Sequence, residues 1–206
     1  MLRRSRKSRP LLPRTRAVHR WLAAAIAAAA LCVTPRVVRA DDATAPPPSV
    51  ETLRVLLSSY DSPPKRAVWE RYGPAALAPL IALYDTPGEP LFIQLRVVGA
   101  VANYPTPATR TFLLAVARQK SQPSLLVERA VRSLGRAFGE KAVDDVAAFL
   151  SHPAVHVRAS AITALADIGG PKARTALQTR MPKDRDLYIE RLLARSLATM
   201  AKQARE

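Results

Sequence analysis

Val68, Val101, Leu134, Leu165 and Leu197 recur at intervals of 33, 33, 31 and 32 residues, each at the same place within a stretch of helical apolar periodicity. A second register, Ala76, Ala108, Ala142 and Ala173, is spaced 32, 34 and 31. Two registers with nearly one period mark a chain built from a short repeated unit. Such a unit cannot bury its apolar face alone, and the core forms only when neighbours stack. The five anchors are therefore expected at the centre of an all-α solenoid of stacked antiparallel helix pairs.

The residues between the anchors support the same reading. Val127, Ala130, Val131, Leu134 and Phe138 follow the i, i+3, i+4, i+7 pattern of an amphipathic first helix. A tight break follows in each unit, as at Tyr72-Gly73-Pro74, Tyr104-Pro105-Thr106-Pro107, Phe138-Gly139-Glu140 and Gly169-Gly170-Pro171, and then a second helix such as Ala173–Arg180. Between units lie Asp85-Thr86-Pro87-Gly88, Ser121-Gln122-Pro123, Ser151-His152-Pro153 and Met181-Pro182-Lys183. Each contains proline, which cannot continue a helix and so sets the boundary. Ser49 and Ser62 are expected N-caps. Aromatic residues make up only 5% of the chain and glycines number 7, which suits closely packed helices better than a sandwich or barrel.

Gly73–Leu80 (GPAALAPL), Gly170–Leu177 (GPKARTAL) and Val157–Gly170 (VRASAITALADIGG) carry a resemblance. They are similar to the HEAT repeats of the phycobilisome-lyase-like subgroup over about residues 60–200. The resemblance implies a HEAT-type solenoid and little about function, because that repeat serves many roles. It also implies that Arg158 is a structural arginine pairing between neighbouring repeats. Asn103-Tyr104-Pro105 departs from the usual Leu-Gly ending. About four helix pairs are expected within 49–206, with Val50–Tyr60 and Leu187–Ala204 as capping half-units.

The first forty residues read differently. They hold ten of the 32 basic residues and none of the 16 acidic ones, so the remainder carries only 22 basic against 16 acidic. A basic stretch to Arg20, the apolar run Trp21–Val33 and the small or apolar Val38-Arg39-Ala40 describe a secretory signal, residues 1–40, cleaved after Ala40. The apolar run would make a helix of roughly 20 Å, short of the hydrocarbon thickness of a membrane. The mature chain is then expected in the periplasm or outside the cell with no stable transmembrane span; an uncleaved signal acting as a membrane anchor is the alternative. Residues 41–48 form a proline-rich spacer. The single cysteine, Cys32, would leave with the signal, removing disulfides and thiolate chemistry from the mature chain.

Little in the sequence resembles a catalytic centre. His152 and His156 are four apart, but Pro153 places His152 in the turn between units, away from His156's helix. Asp144 and Asp145 are adjacent, point about 100° apart on a helix, and suit the first turn, where carboxylates favour the positive dipole end. Arg96, Arg129, Arg158 and Arg191 recur near the starts of first helices as packing and hydrogen-bonding residues. Trp69 is expected in the core.

The chain is thus expected to be a non-enzymatic scaffold, without metal or cofactor, whose second helices line a concave face for a protein or peptide partner. The predicted row is Ala78, Arg110, Asp144 and Thr175, followed one turn on by Ala82, Leu114, Ala148 and Thr179. The alternative is an anionic envelope polymer, lipid surface or nucleic acid held by basic residues, with Arg191, Arg195, Lys202 and Arg205 as candidates. Nucleic acid is the less favoured ligand: the row sets Arg110 against Asp144, and export separates the chain from the genome.

Overall fold

The computed structural model describes residues 46–59, 64–181 and 184–205. The expected leader, its cleavage point, Ser62 and the Pro182-Lys183 break lie outside them. All described residues belong to one compact unit, Thr44–Glu206. Every regular element among them is helical.

The chain begins with α1 (Val50–Ser58), capped by Ser49, whose hydroxyl accepts the Thr52 N–H at 3.1 Å. Leu53 and Leu57 of α1 are fully buried. Next comes α2 (Arg66–Tyr72), then a 3₁₀ turn Pro74–Ala76 leading into α3 (Leu77–Tyr84). Three pairs follow: α4 (Leu91–Ala100) with α5 (Pro107–Arg118), α6 (Ser124–Phe138) with α7 (Val143–Ala147), and α8 (Val155–Ile168) with α9 (Gly170–Arg180). The last helix is α10 (Leu187–Gln203), whose cap, Asp186, accepts the N–H groups of Tyr188 and Ile189.

The first helices stack in order, α4 on α6, α6 on α8 and α8 on α10. Each second helix packs against the first helix of the next unit, so α3 meets α4, α5 meets α6, α7 meets α8 and α9 meets α10. The core is therefore a continuous ribbon between two helical layers. Gly135 lets α6 and α8 approach closely: a Cβ added there would lie 3.3 Å from the Ala164 Cβ. At the ends of α6 and α8, Gly139 (φ 53°) and Gly169 (φ 73°) take left-handed backbone and turn the chain into the second helix.

At the start of the stack the structure differs from the half-unit expected for Val50–Tyr60. There α1 packs on both α3 and α4, while α2 packs on the turns Pro74–Ala76 and Val101–Asn103. The second helices are also less regular than expected. α7 spans five residues, with 3₁₀ turns Gly139–Ala142 and Ala148–Ser151 on either side.

Candidate interaction surfaces

Burial decides the register within each unit. Val101, Leu134 and Leu165 are fully buried, whereas Val68 and Leu197 are only partly so. In the first unit the neighbouring Trp69 fills the core, and in the last helix Leu193 and Met200 do. Both anchors sit at the ends of the stack, where one neighbouring layer is missing or shortened. In the second register Ala76, Ala142 and Ala173 are buried but Ala108 is exposed. Thr109 takes its place; its hydroxyl donates to the Tyr104 carbonyl. A buried hydroxyl with a partner carries little penalty, and so a threonine can stand where the other units have alanine.

That one-residue shift re-aims the second-helix row. Counted from the buried positions, the outward residues are Ala78, Thr111, Asp144 and Thr175, and one turn on Ala82, Ala115, Ala148 and Thr179, all exposed. Arg110 and Leu114, expected in the row, stand beside it, and Leu114 is partly buried against the core. Arg110 turns to the next unit, its guanidinium donating to Asp145 Oδ2 at 2.8 and 2.6 Å. The adjacent Asp144 accepts from Lys172 Nζ of the following unit at 2.6 Å. The two carboxylates diverge and tie one unit to both neighbours. Thr111 and Thr175 donate their hydroxyls to the Pro107 and Pro171 carbonyls one turn back.

Similar ties recur one repeat apart. Arg54 donates to Glu89, Tyr104 to the Trp69 carbonyl at 2.8 Å, and Ser133 to the Val98 carbonyl at 2.9 Å. Arg158 is largely enclosed, its side chain 11% exposed. It donates to Asp184 Oδ2 at 2.9 Å and to the carbonyls of His152 and Pro153 at 3.1 and 3.0 Å. Arg180 donates to the same carboxylate at 2.7 Å. Burial acts to raise the Asp184 pKa, but hydrogen bonds from Arg180, the Asp186 N–H and Arg158 outweigh it, so the carboxyl titrates below its usual value. Arg158 thus fastens the turn between units to the segment before α10.

A family model described as HEAT repeats matches residues 111–198, from within α5 to within α10. The stacked antiparallel pairs extend the same architecture on the N-terminal side of that segment. The fold is a HEAT-type α-solenoid. Among curated proteins none matches the chain. The match is to HEAT repeats in general and carries no subgroup.

The outer faces of the solenoid's first helices were not singled out by the sequence as a possible site. On α6, Arg129, Arg132 and Arg136 are exposed at i, i+3 and i+7, opposite the buried stripe of Val127, Ala130, Val131 and Leu134. A cleft of about 520 Å³ lies on one side of this ridge, between α4 and α6, and one of about 420 Å³ on the other, toward α8. Arg129 and Arg136 line both.

His152 sits in the turn, its Nδ1 accepting the Ala154 N–H, while His156 is exposed on α8. Among the described residues no group of three or more His, Cys, Asp or Glu could hold a metal ion. Of the C-terminal cations, Arg191 and Arg195 are exposed on α10 and Arg205 beyond it. No described helix is long and apolar enough to cross a membrane.

Proposed function

We propose that this chain is an exported, non-enzymatic scaffold that binds a protein or peptide partner along the second helices of its solenoid. The observation that carries the reading is the pairing of a tied frame with an exposed row of short side chains. Arg110–Asp145, Asp144–Lys172 and Arg158–Asp184 hold neighbouring units together. Between these ties, Thr111, Ala115, Ala148, Thr175 and Thr179 face solvent with little side-chain bulk. A partner's backbone can approach such a row closely and loses little entropy in ordering it. HEAT repeats are commonly interaction scaffolds, and the match over residues 111–198 agrees with that role. The similarity to the phycobilisome-lyase-like subgroup is one of repeat form, and no lyase chemistry is drawn from it.

The export half of the proposal rests on residues 1–40 and is tested by N-terminal sequencing of material recovered outside the cytoplasm. An N-terminus at Asp41 supports it; an intact Trp21–Val33 segment in membrane-bound material supports an anchor instead. For the binding face, a photo-crosslinking residue at Ala115 or Thr175 should trap the partner in the native envelope fraction. One at Arg195 should not. Trapping only from Arg195 would move the site to the basic C-terminal helix and favour the anionic-surface alternative.

A further inference from the structure

We infer that the arginine ridge of α6 and the cleft between α4 and α6 form a second binding site, for an extended acidic peptide segment that also carries apolar side chains. The inference takes from the scaffold reading only the class of ligand, a peptide. The site itself is separate from the second-helix row.

Like charges spaced i, i+3 and i+7 on one helix face repel and weaken the helix unless something neutralises them. Neither Arg129 nor Arg132 has a hydrogen bond or an acidic partner among the described residues, and Arg136 donates only to the Gly99 carbonyl. Burial, and then the charges of Arg129 and Arg132, hold the Arg136 guanidinium below its usual pKa. The ridge is thus a concentration of positive charge, adjoined by Glu128 but held in no close ion pair among the described residues. Most cations of the second-helix layer, by contrast, are spent on ties between units.

The lining of the two clefts decides which side an anion takes. Asp167 lines the cleft toward α8 and repels it. Among the described residues no acid lines the cleft toward α4, where Arg96, Arg129 and Arg136, with Arg66 paired to Glu70 at 2.8 Å, flank a lining that includes Leu57, Trp69 and Leu95. One helical turn before Arg96 and Arg129 stand Phe92 and Leu125, large apolar side chains 50% and 54% exposed, with the Arg96 guanidinium 5.7 Å from the centroid of the Phe92 ring. Cations beside half-exposed apolar side chains call for a ligand that alternates the two chemistries over a few ångströms.

An extended peptide meets that description. Its same-side residues repeat about every 7 Å, within arginine reach of guanidinium-bearing positions that two helical turns set about 10 Å apart. Carboxylates accept the planar arginine fork in a bidentate way. A nucleic-acid strand fits less well, since Trp69 is 3% exposed and cannot stack on a base. A bilayer surface is flat and cannot follow a recess between helices.

The test uses the full chain and a fluorescent peptide of about a dozen residues, long enough to span the cleft when extended, with glutamate at alternate positions and leucines between. Binding is read by anisotropy. The wild type should bind, more weakly as salt rises, and an analogue with glutamine for glutamate should not. Arg129→Glu should weaken binding by about ten-fold or more, the milder Arg129→Gln by less, and Arg195→Glu by under about two-fold. Circular dichroism confirms that each variant is folded, which is expected because Arg129 and Arg195 are exposed. The inference is overturned by no peptide binding, by equal binding of the glutamine analogue, or by equal losses in Arg129→Glu and Arg195→Glu, which would mean net charge alone. It is likewise overturned if a single-stranded oligonucleotide or anionic vesicles bind through Arg129 while the peptide does not. The second-helix crosslinks are independent of Arg129, so either proposal can fail alone.

Discussion

The hydroxyl of Tyr104 donates to the main-chain oxygen of Trp69 across 2.8 Å, linking the end of one unit's first helix to the same place in the unit before. The Trp69 oxygen also accepts the Gly73 N–H at 3.0 Å, so it is held at the end of α2 from two sides. This accounts for the unusual Asn103-Tyr104-Pro105 ending. Where other units turn on glycine, the second spends the position on an aromatic ring that is 5% exposed.

Tyr104 should make the fold sensitive to alkali. Burial, with a smaller contribution from Tyr72, pushes its pKa up to about 12, against about 10 in an unfolded chain. The folded state favours the neutral phenol, so this contribution is complete below about pH 10 and lost as pH rises toward about 12. Tyr104→Phe should lower stability by about 1 kcal/mol near neutrality and flatten the fall in melting temperature above pH 10. An unchanged alkaline slope would refute this role.

Asp184 should confer acid sensitivity with the opposite sign. Its folded pKa is depressed, so its contribution is present above the unfolded value of about 4 and lost as pH falls through the folded one. Asp184→Ala should cost about 3 kcal/mol at neutral pH, because Arg158 and Arg180 would stay enclosed without their carboxylate. Thermal melts of both proteins from neutral to acid pH should converge as the wild type protonates. A gap that persists unchanged at low pH would assign the loss to packing.

The repeat register is open to direct test. Leu134→Asp and Leu165→Asp bury a charge at fully enclosed sites and should each cost more than about 4 kcal/mol, enough to leave little folded protein. Leu197→Asp should be milder, because that side chain is only partly covered. Equal effects at Leu134 and Leu197, measured by denaturant unfolding, would contradict the burial pattern.

On the second-helix row, Thr175→Trp should leave the melting temperature nearly unchanged, within about 0.5 kcal/mol, while weakening the partner. Arg110→Glu should melt lower, since it sets a carboxylate against Asp145 in place of an ion pair, a loss of up to about 1 kcal/mol at an exposed site. If Arg110→Glu is silent in melting, the pairing with Asp145 contributes nothing in solution.

The α6 ridge offers a stability test apart from any ligand. Arg132→Gln relieves repulsion from both Arg129 and Arg136 while losing one favourable i,i+4 neighbour, Glu128, so it should stabilise the free protein by no more than about 0.5 kcal/mol, and less at high salt. A destabilised variant would show that Arg132 has a favourable role in the free fold.

The helices and their stacking were legible in the sequence because period and punctuation are local. Proline in each inter-unit break and the alternation of apolar positions need no tertiary information, and they placed Val101, Leu134 and Leu165 in the core. What the sequence could not place was any feature depending on a one-residue phase or a neighbour across the stack. Alanine alone marked the second register at Ala108, yet Thr109 is the buried residue, because the Tyr104 carbonyl accepts its hydroxyl. Likewise the register placed Asp144 on the outward row but named no partner for it or for Asp145; their separate partners, Lys172 and Arg110, are set by how units stack. The spacing of Arg129, Arg132 and Arg136 was readable as a helical ridge. Only the packing of α4 and α8 beside it showed that, among the described residues, a carboxylate lines the cleft on one side and none lines the other. A repeat writes its own period into the chain, whereas the charge that faces each side chain comes from residues a whole repeat away.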